Sequence, residues 1–116
     1  MREHKRDKER LAHILEAIGI IDNGLTTYSK DELLNNPLLY HGLVKELEII
    51  GEAANLLTQE FRDEHTEVNW RPIVNMRNVL VHDYIHISKD ILWATLTQDI
   101  PALKPHIEKY YSDLKD

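Results

Sequence analysis

Arg77, His82 and Tyr84 stand close together in the run Arg77-Asn78-Val79-Leu80-Val81-His82-Asp83-Tyr84, and each has a side chain that can act on a phosphodiester. Arginine is always cationic and its planar fork fits phosphate oxygens. Histidine can take or give a proton near neutral pH. Together they suit metal-free cutting of RNA, which carries its own nucleophile in the ribose 2′-hydroxyl. His82 would accept the 2′ proton or protonate the leaving 5′ oxygen. Arg77 would neutralise the charge that builds in the phosphorane-like transition state. Asn78 would bond a phosphate oxygen or fix the imidazole tautomer, and Tyr84 would line the cleft as a stacking platform or hydrogen-bond donor. The competing structural reading is that Arg77 and His82 cap carbonyls or pair with a carboxylate such as the adjacent Asp83.

Spacing constrains how these groups meet. Asn78 and His82 are four residues apart and share a helical face. Arg77 and His82 are five apart and point about 140° away from each other on a regular helix. Either the helix loosens near His82, or a second copy of the segment completes the site. A two-fold homodimer laying two helix ends together supplies that copy.

The elements that must position this segment are helical. Leu11, Ile14, Leu15, Ile18 and Ile21 mark one face of a first helix, and Asn23-Gly24 predicts its end. Ser29 and Glu32 form a capping box for a short helix, and Asn36-Pro37 interrupts it or starts the next. Leu39, Leu43, Leu47, Ile50, Ala54 and Leu57 trace a long helix, in which Gly51, Ala53 and Ala54 permit close approach of another. Residues 62–69 read as a polar connection. Asn69 or Trp70 then caps a helix with Pro72 in its first turn and Ile73, Met76 and Leu80 toward the core. Ser88 caps a last helix, which Asp99-Ile100-Pro101 kinks or restarts before Leu103, Ile107 and Leu114. The prediction is an all-α, antiparallel four- to five-helix bundle, with residues 1–116 forming one domain.

Composition excludes other classes. The chain has 116 residues, no cysteine and a formal net charge of −6, so disulfides, thiolate metal sites and sequence-blind coating of nucleic acid, DNA included, are not expected. Residues 71–89 carry Arg71, Arg77 and Lys89 against Asp83 alone, a basic segment in an acidic chain. No apolar run reaches membrane-spanning length, and the charged first ten residues do not look like a secretion signal. A cytoplasmic protein without a membrane association is the expectation.

The run Arg77-Asn78-x-x-x-His82-x-Tyr84 resembles the signature of HEPN-domain ribonucleases, the HepT-like toxins in particular. Leu47-Glu48-Ile49-Ile50-Gly51-Glu52-Ala53-Ala54 is similar to that family's second long helix. Val68-Asn69-Trp70-Arg71-Pro72-Ile73-Val74-Asn75-Met76 is similar to its approach to the active helix, and Ile100-Pro101-Ala102-Leu103 to its last helix. Order and spacing match over nearly the whole chain, residues 1–10 and 24–37 least. The resemblance implies an all-helical homodimer that cleaves RNA without metal or cofactor at a cleft between two active helices. It implies that Arg77 and His82 are catalytic and that Asn78 is the polar residue following the motif arginine. It also implies a partner, a minimal nucleotidyltransferase antitoxin that transfers AMP onto Tyr84. One departure is Lys45-Glu46, where the family more often has an arginine and a neutral amide; Glu46 would repel phosphate if it faced the site.

Other constellations carry less. His82 and His86 share a helical spacing that zinc ligands use, but Asp83 stands where a zinc-protease motif needs glutamate. A metal-dependent phosphohydrolase would need more ligands than the sequence supplies. His4, His13, His41, His65 and His106 read as solvent-facing, Glu52 as a buried hydrogen-bond partner or a cleft residue, Trp70 as a core anchor, and Tyr110-Tyr111 as packing or dimer surface. The charged run Glu3–Arg10 reads as a solvated helix face. The alternative function is a non-catalytic helical module of the same fold that binds nucleotide or docks a nucleotidyltransferase.

Overall fold

The apolar stripe Leu11, Ile14, Ile18 and Ile21 has no exposed surface, and it forms the inner face of helix α1 (Arg2–Thr27). The computed structural model describes residues 2–83 and 86–114. In these, α1 is followed by α2 (Lys30–Asn35), α3 (Pro37–Leu56), α4 (Gln59–Glu64), α5 (Trp70–Asp83), α6 (Lys89–Ala94), a π-helical turn (Thr95–Asp99) and α7 (Ile100–Asp113). Among the described residues there is no strand: the β-branched Val79–Val81 run is helical. The molecule is an all-α bundle, as its periodicities predict.

Helix α3 is the central element, packed between α1 on one side and α5 on the other, while α7 covers α1. Leu43, Leu47, Ile50, Ala54 and Leu57 are buried along its length. The caps expected at Ser29, Asn36 and Ser88 are in place. Ser29 Oγ accepts from Glu32 N at 3.1 Å while Glu32 Oε1 accepts from Ser29 N at 3.0 Å. Asn36 Oδ1 accepts from Leu38 and Leu39 N ahead of Pro37, whose missing N–H costs nothing at a helix start.

Three local features differ from expectation. Helix α1 runs through Asn23-Gly24 to Thr27, because Leu25 continues its apolar stripe and packs on the core; Gly24 keeps a negative φ. Second, the 62–69 region is partly helical: Thr58 caps α4 by accepting from Phe61 N, and Phe61 is buried. Third, Asp7 belongs to no solvated face. It is 1% exposed, and its carboxylate accepts from Thr58 N and Thr58 Oγ1, both at 2.8 Å, locking α1 to the start of α4.

The break at Asp99-Ile100-Pro101 takes the form of the π turn. Ile100 N donates to Thr95 O, one residue further back than in an α-helix. Pro101, which has no N–H, follows at the start of α7. Lys104 Nζ bonds Asp22 Oδ2 at 2.9 Å and Lys89 Nζ bonds Leu34 O at 2.7 Å, so both ends of this last limb are tied to the rest of the bundle.

Candidate active site

Arg77 lies where α5 crosses α3 most closely. A Cβ on Gly51 would stand 2.8 Å from Arg77 N and 3.0 Å from both Arg77 Cβ and Ile73 O. Only a glycine at 51 lets the backbones meet at this distance, so Gly51 sets the position of Arg77. The next residue on α3 holds its side chain: Glu52 Oε2 is 3.3 Å from Arg77 Nε. Arg77 Nη1 donates to Asn78 Oδ1 at 3.2 Å. The guanidinium is thereby tethered on two sides while 43% of the side chain remains exposed. Glu52 is therefore a cleft residue, not the buried carboxylate its apolar neighbours suggested.

A cavity of about 270 Å³ opens beside this arginine, between α1, α3 and α5. His13, Lys45, Glu48 and Glu52 share its lining with Arg77. His13, exposed as expected, also stands on the arginine's cavity, and Lys45 adds a second cation. Sequence spacing could not reveal this grouping, since it depends on α1 and α5 flanking the same side of α3. Glu46 is not part of this lining: it lies toward α1, where burial and the nearby Glu16 carboxylate raise its carboxyl above the ordinary range. The departure at Lys45-Glu46 therefore leaves a lysine, not a glutamate, on the cavity.

His82 stands one turn beyond Asn78 on the same face of α5 and is exposed, but it is not among the residues lining the Arg77 cavity. One chain brings Arg77 and Asn78 together and leaves His82 on the adjacent face. Tyr84 lies outside the described residues. Asp83 pairs with His86 Nδ1, not with Arg77.

A larger cavity, about 690 Å³, lies between α5, α6 and α7 and has mainly aliphatic walls, among them Ile73, Met76, Leu80, Ile91 and Leu103. It contains no lysine or arginine, whereas the smaller one holds Arg77 and Lys45. Among the described residues no group of three or more His, Asp or Glu side chains is placed to hold a metal ion. No helix among them is long and apolar enough to cross a membrane.

Of the remaining histidines, His41 is exposed as expected, while His65 departs from expectation. His65 Nδ1 lies 2.7 Å from Phe61 O, and its ring stacks on Phe61 with centroids 4.0 Å apart and leans on Tyr110 at 4.5 Å. It helps close the end of the bundle. Trp70, a core anchor as predicted, donates Nε1 to His65 O at 2.8 Å. Tyr110 packs in the same cluster and donates to Glu67 Oε1 at 2.6 Å. That bond holds the Glu67 carboxyl below its ordinary range, while burial first, then Glu67, pushes the Tyr110 hydroxyl well above its own.

The family model for ribonuclease HepT-like proteins matches residues 14–110, which include Arg77, Asn78, His82 and every residue lining the Arg77 cavity except His13. The chain belongs to the HepT-like family. This HepT-like chain is 35% identical over 109 residues to "Putative RNase MJ1380" of Methanocaldococcus jannaschii, covering 90% of this chain and 96% of that one. It is 34% identical over 102 residues to "Probable ribonuclease HepT" of Thermococcus cleftensis, covering 88% and 93%. It is 33% identical over 105 residues to "Putative RNase TTE0752" of Caldanaerobacter subterraneus subsp. tengcongensis, covering 90% and 94%. No solved structure gave a match.

Proposed function

We propose that this protein is a metal-independent RNA endonuclease, the toxin of a cytoplasmic toxin–antitoxin pair, and that it acts as a homodimer. The observation that carries the reading is Arg77: a tethered, half-exposed guanidinium on a polar cavity, in a chain of a ribonuclease family. Arg77 binds the scissile phosphate, with Asn78 bonding one of its oxygens, and its charge counts most as the phosphorus becomes five-coordinate. The ribose 2′ oxygen attacks phosphorus, the bond to the 5′ oxygen breaks, and a 2′,3′-cyclic phosphate and a 5′-hydroxyl result. His82 of one chain takes the 2′ proton and, as the imidazolium, returns a proton to the departing 5′ oxygen. The separation of His82 from the Arg77 cavity within one chain supports a site shared between two chains.

The pair's second member is a minimal nucleotidyltransferase that moves AMP from ATP onto the Tyr84 hydroxyl. An anionic nucleotide two residues from His82 occupies the phosphate site and repels RNA. No metal or other cofactor enters the proposed cleavage.

The deciding experiment is RNA cleavage in excess EDTA by the wild type, Arg77→Ala and His82→Ala. Cutting that survives EDTA and falls at least about a hundredfold in both variants, with helicity and mass unchanged, is the expected outcome. With the partner enzyme and ATP added, wild type should gain one or more AMP units and lose activity, and Tyr84→Phe should escape both. Unmodified wild type that leaves every RNA intact would hand the case to the non-catalytic, nucleotidyltransferase-docking module.

A further inference from the structure

Helix α5 carries more polar surface than the cleavage step uses. Arg71, Asn75, Asn78 and His82 follow one another at spacings of four, three and four, and all four are exposed. At 100° per residue they fall within about 60° of arc, a single stripe about 16 Å long. At one end of the stripe are His82 and Asn78, the latter holding the Arg77 guanidinium. At the other, Arg71 and Asn75 stand on a second recess, about 840 Å³, between α4 and the start of α5. Arg62 and Asn69 also line it. Arg71 enters none of the ion pairs among the described residues. The acid in the recess, Asp63, accepts from Gln59 Nε2 at 2.8 Å, and Arg62 Nη2 donates to Gln59 Oε1 at 3.3 Å. In a chain of net charge −6, two arginines on one recess, on the stripe that ends at Asn78 and His82, mark where an anionic strand can continue.

We propose that Arg71 and Asn75, with Arg62 beside them, form a flanking-nucleotide subsite: the RNA strand cut at Arg77 and His82 runs along α5 and places a further phosphate on Arg71. Asn75 reaches the sugar or base between the two phosphates. The inference rests on the ribonuclease reading above and adds to it a substrate class, single strands long enough to span the stripe. Duplex RNA is disfavoured, since the stripe is one helix face wide and reads one strand.

The test pairs binding with cleavage. Binding uses single-stranded RNA methylated at its 2′ oxygens, which cannot be cut, over a range of salt; cleavage uses a dinucleotide too short to reach Arg71. Arg71→Ala should weaken binding of the long strand about tenfold, the worth of one charge-assisted contact. It should lower the slope of log affinity against log salt by about 0.7, one phosphate's worth for a single strand. Arg71→Lys should restore that slope, and dinucleotide cleavage should stay within about twofold of wild type. An unchanged salt slope overturns the subsite, as does an equal loss on long and short substrates, which would make Arg71 part of the shared site or of the fold. A wild type that binds no methylated RNA at any salt overturns the ribonuclease reading itself.

Discussion

Two adjacent residues on α3, Lys45 and Glu46, part company: Lys45 lines the Arg77 cavity and Glu46 turns toward Glu16 on α1. Lys45 would put a cation beside the phosphate proposed to bind Arg77, and a helix turns 100° per residue, so its neighbour faces elsewhere. The consequence for Glu46 is a carboxyl held above its ordinary range, by burial first and by Glu16 second, with Lys45 opposing. A raised carboxyl binds its proton more tightly in the folded state. Its contribution to stability is complete below the ordinary glutamate range and is lost as pH rises through the raised value. Glu46→Gln should therefore raise Tm at pH 7, and the difference should close as the pH is lowered through the carboxylate range. A thermal melt series from pH 7 to pH 4 checks this. An equal gain at every pH would show that packing, not charge, is responsible. Because Glu46 is only partly buried and keeps some contact with water, the effect should be small.

At the scale of elements, the crossing of α3 and α5 decides where Arg77 stands. Gly51→Ala gains the helix propensity of alanine, about 1 kcal/mol, but its methyl meets the Arg77 backbone at 2.8 Å. Backbone cannot swing aside as a side chain tip can, and overpacking of this kind costs about 1–3 kcal/mol. Gly42 on the same helix is the control, since a Cβ there meets nothing within 4 Å. Urea unfolding should find Gly42→Ala more stable by up to about 1 kcal/mol and Gly51→Ala less stable or no better. A clear gain for Gly51→Ala would mean that α5 slides freely over α3. The role of Gly51 was legible beforehand, because small residues midway along an apolar stripe signal close approach. So were α1, α3 and α5, whose stripes run over several turns. Helix α4 was not: six residues with one buried phenylalanine leave no period to read, and what fixes it is Asp7, fifty-one positions from Thr58. His13 and Lys45 beside Arg77 were hidden for the same reason. Only the packing of α1 and α5 about α3 joins them.

The molecule measures 44 × 28 × 21 Å, with α5 along one flank. Val79 and Val81, on either side of the stripe that bears His82, are each 42% exposed. Apolar side chains flanking this polar stripe favour burial against a second copy, whose own α5 would bring a His82 to the Arg77 of the first. This arrangement makes a demand that a site complete in one chain does not. Arg77→Ala and His82→Ala, each inactive alone, should complement each other when coexpressed. In a mixed dimer, the intact Arg77 of one chain meets the intact His82 of the other at one of the two clefts. Random pairing makes half the dimers mixed, so about a quarter of wild-type cleavage should return. If Arg77 and His82 worked together from the same chain, every cleft in the mixed dimer would lack one of them, and cleavage would stay at the level of the single variants. Cleavage by the unsorted coexpressed pair distinguishes these outcomes, and mixed dimers isolated by two different affinity tags should return about half of wild-type cleavage.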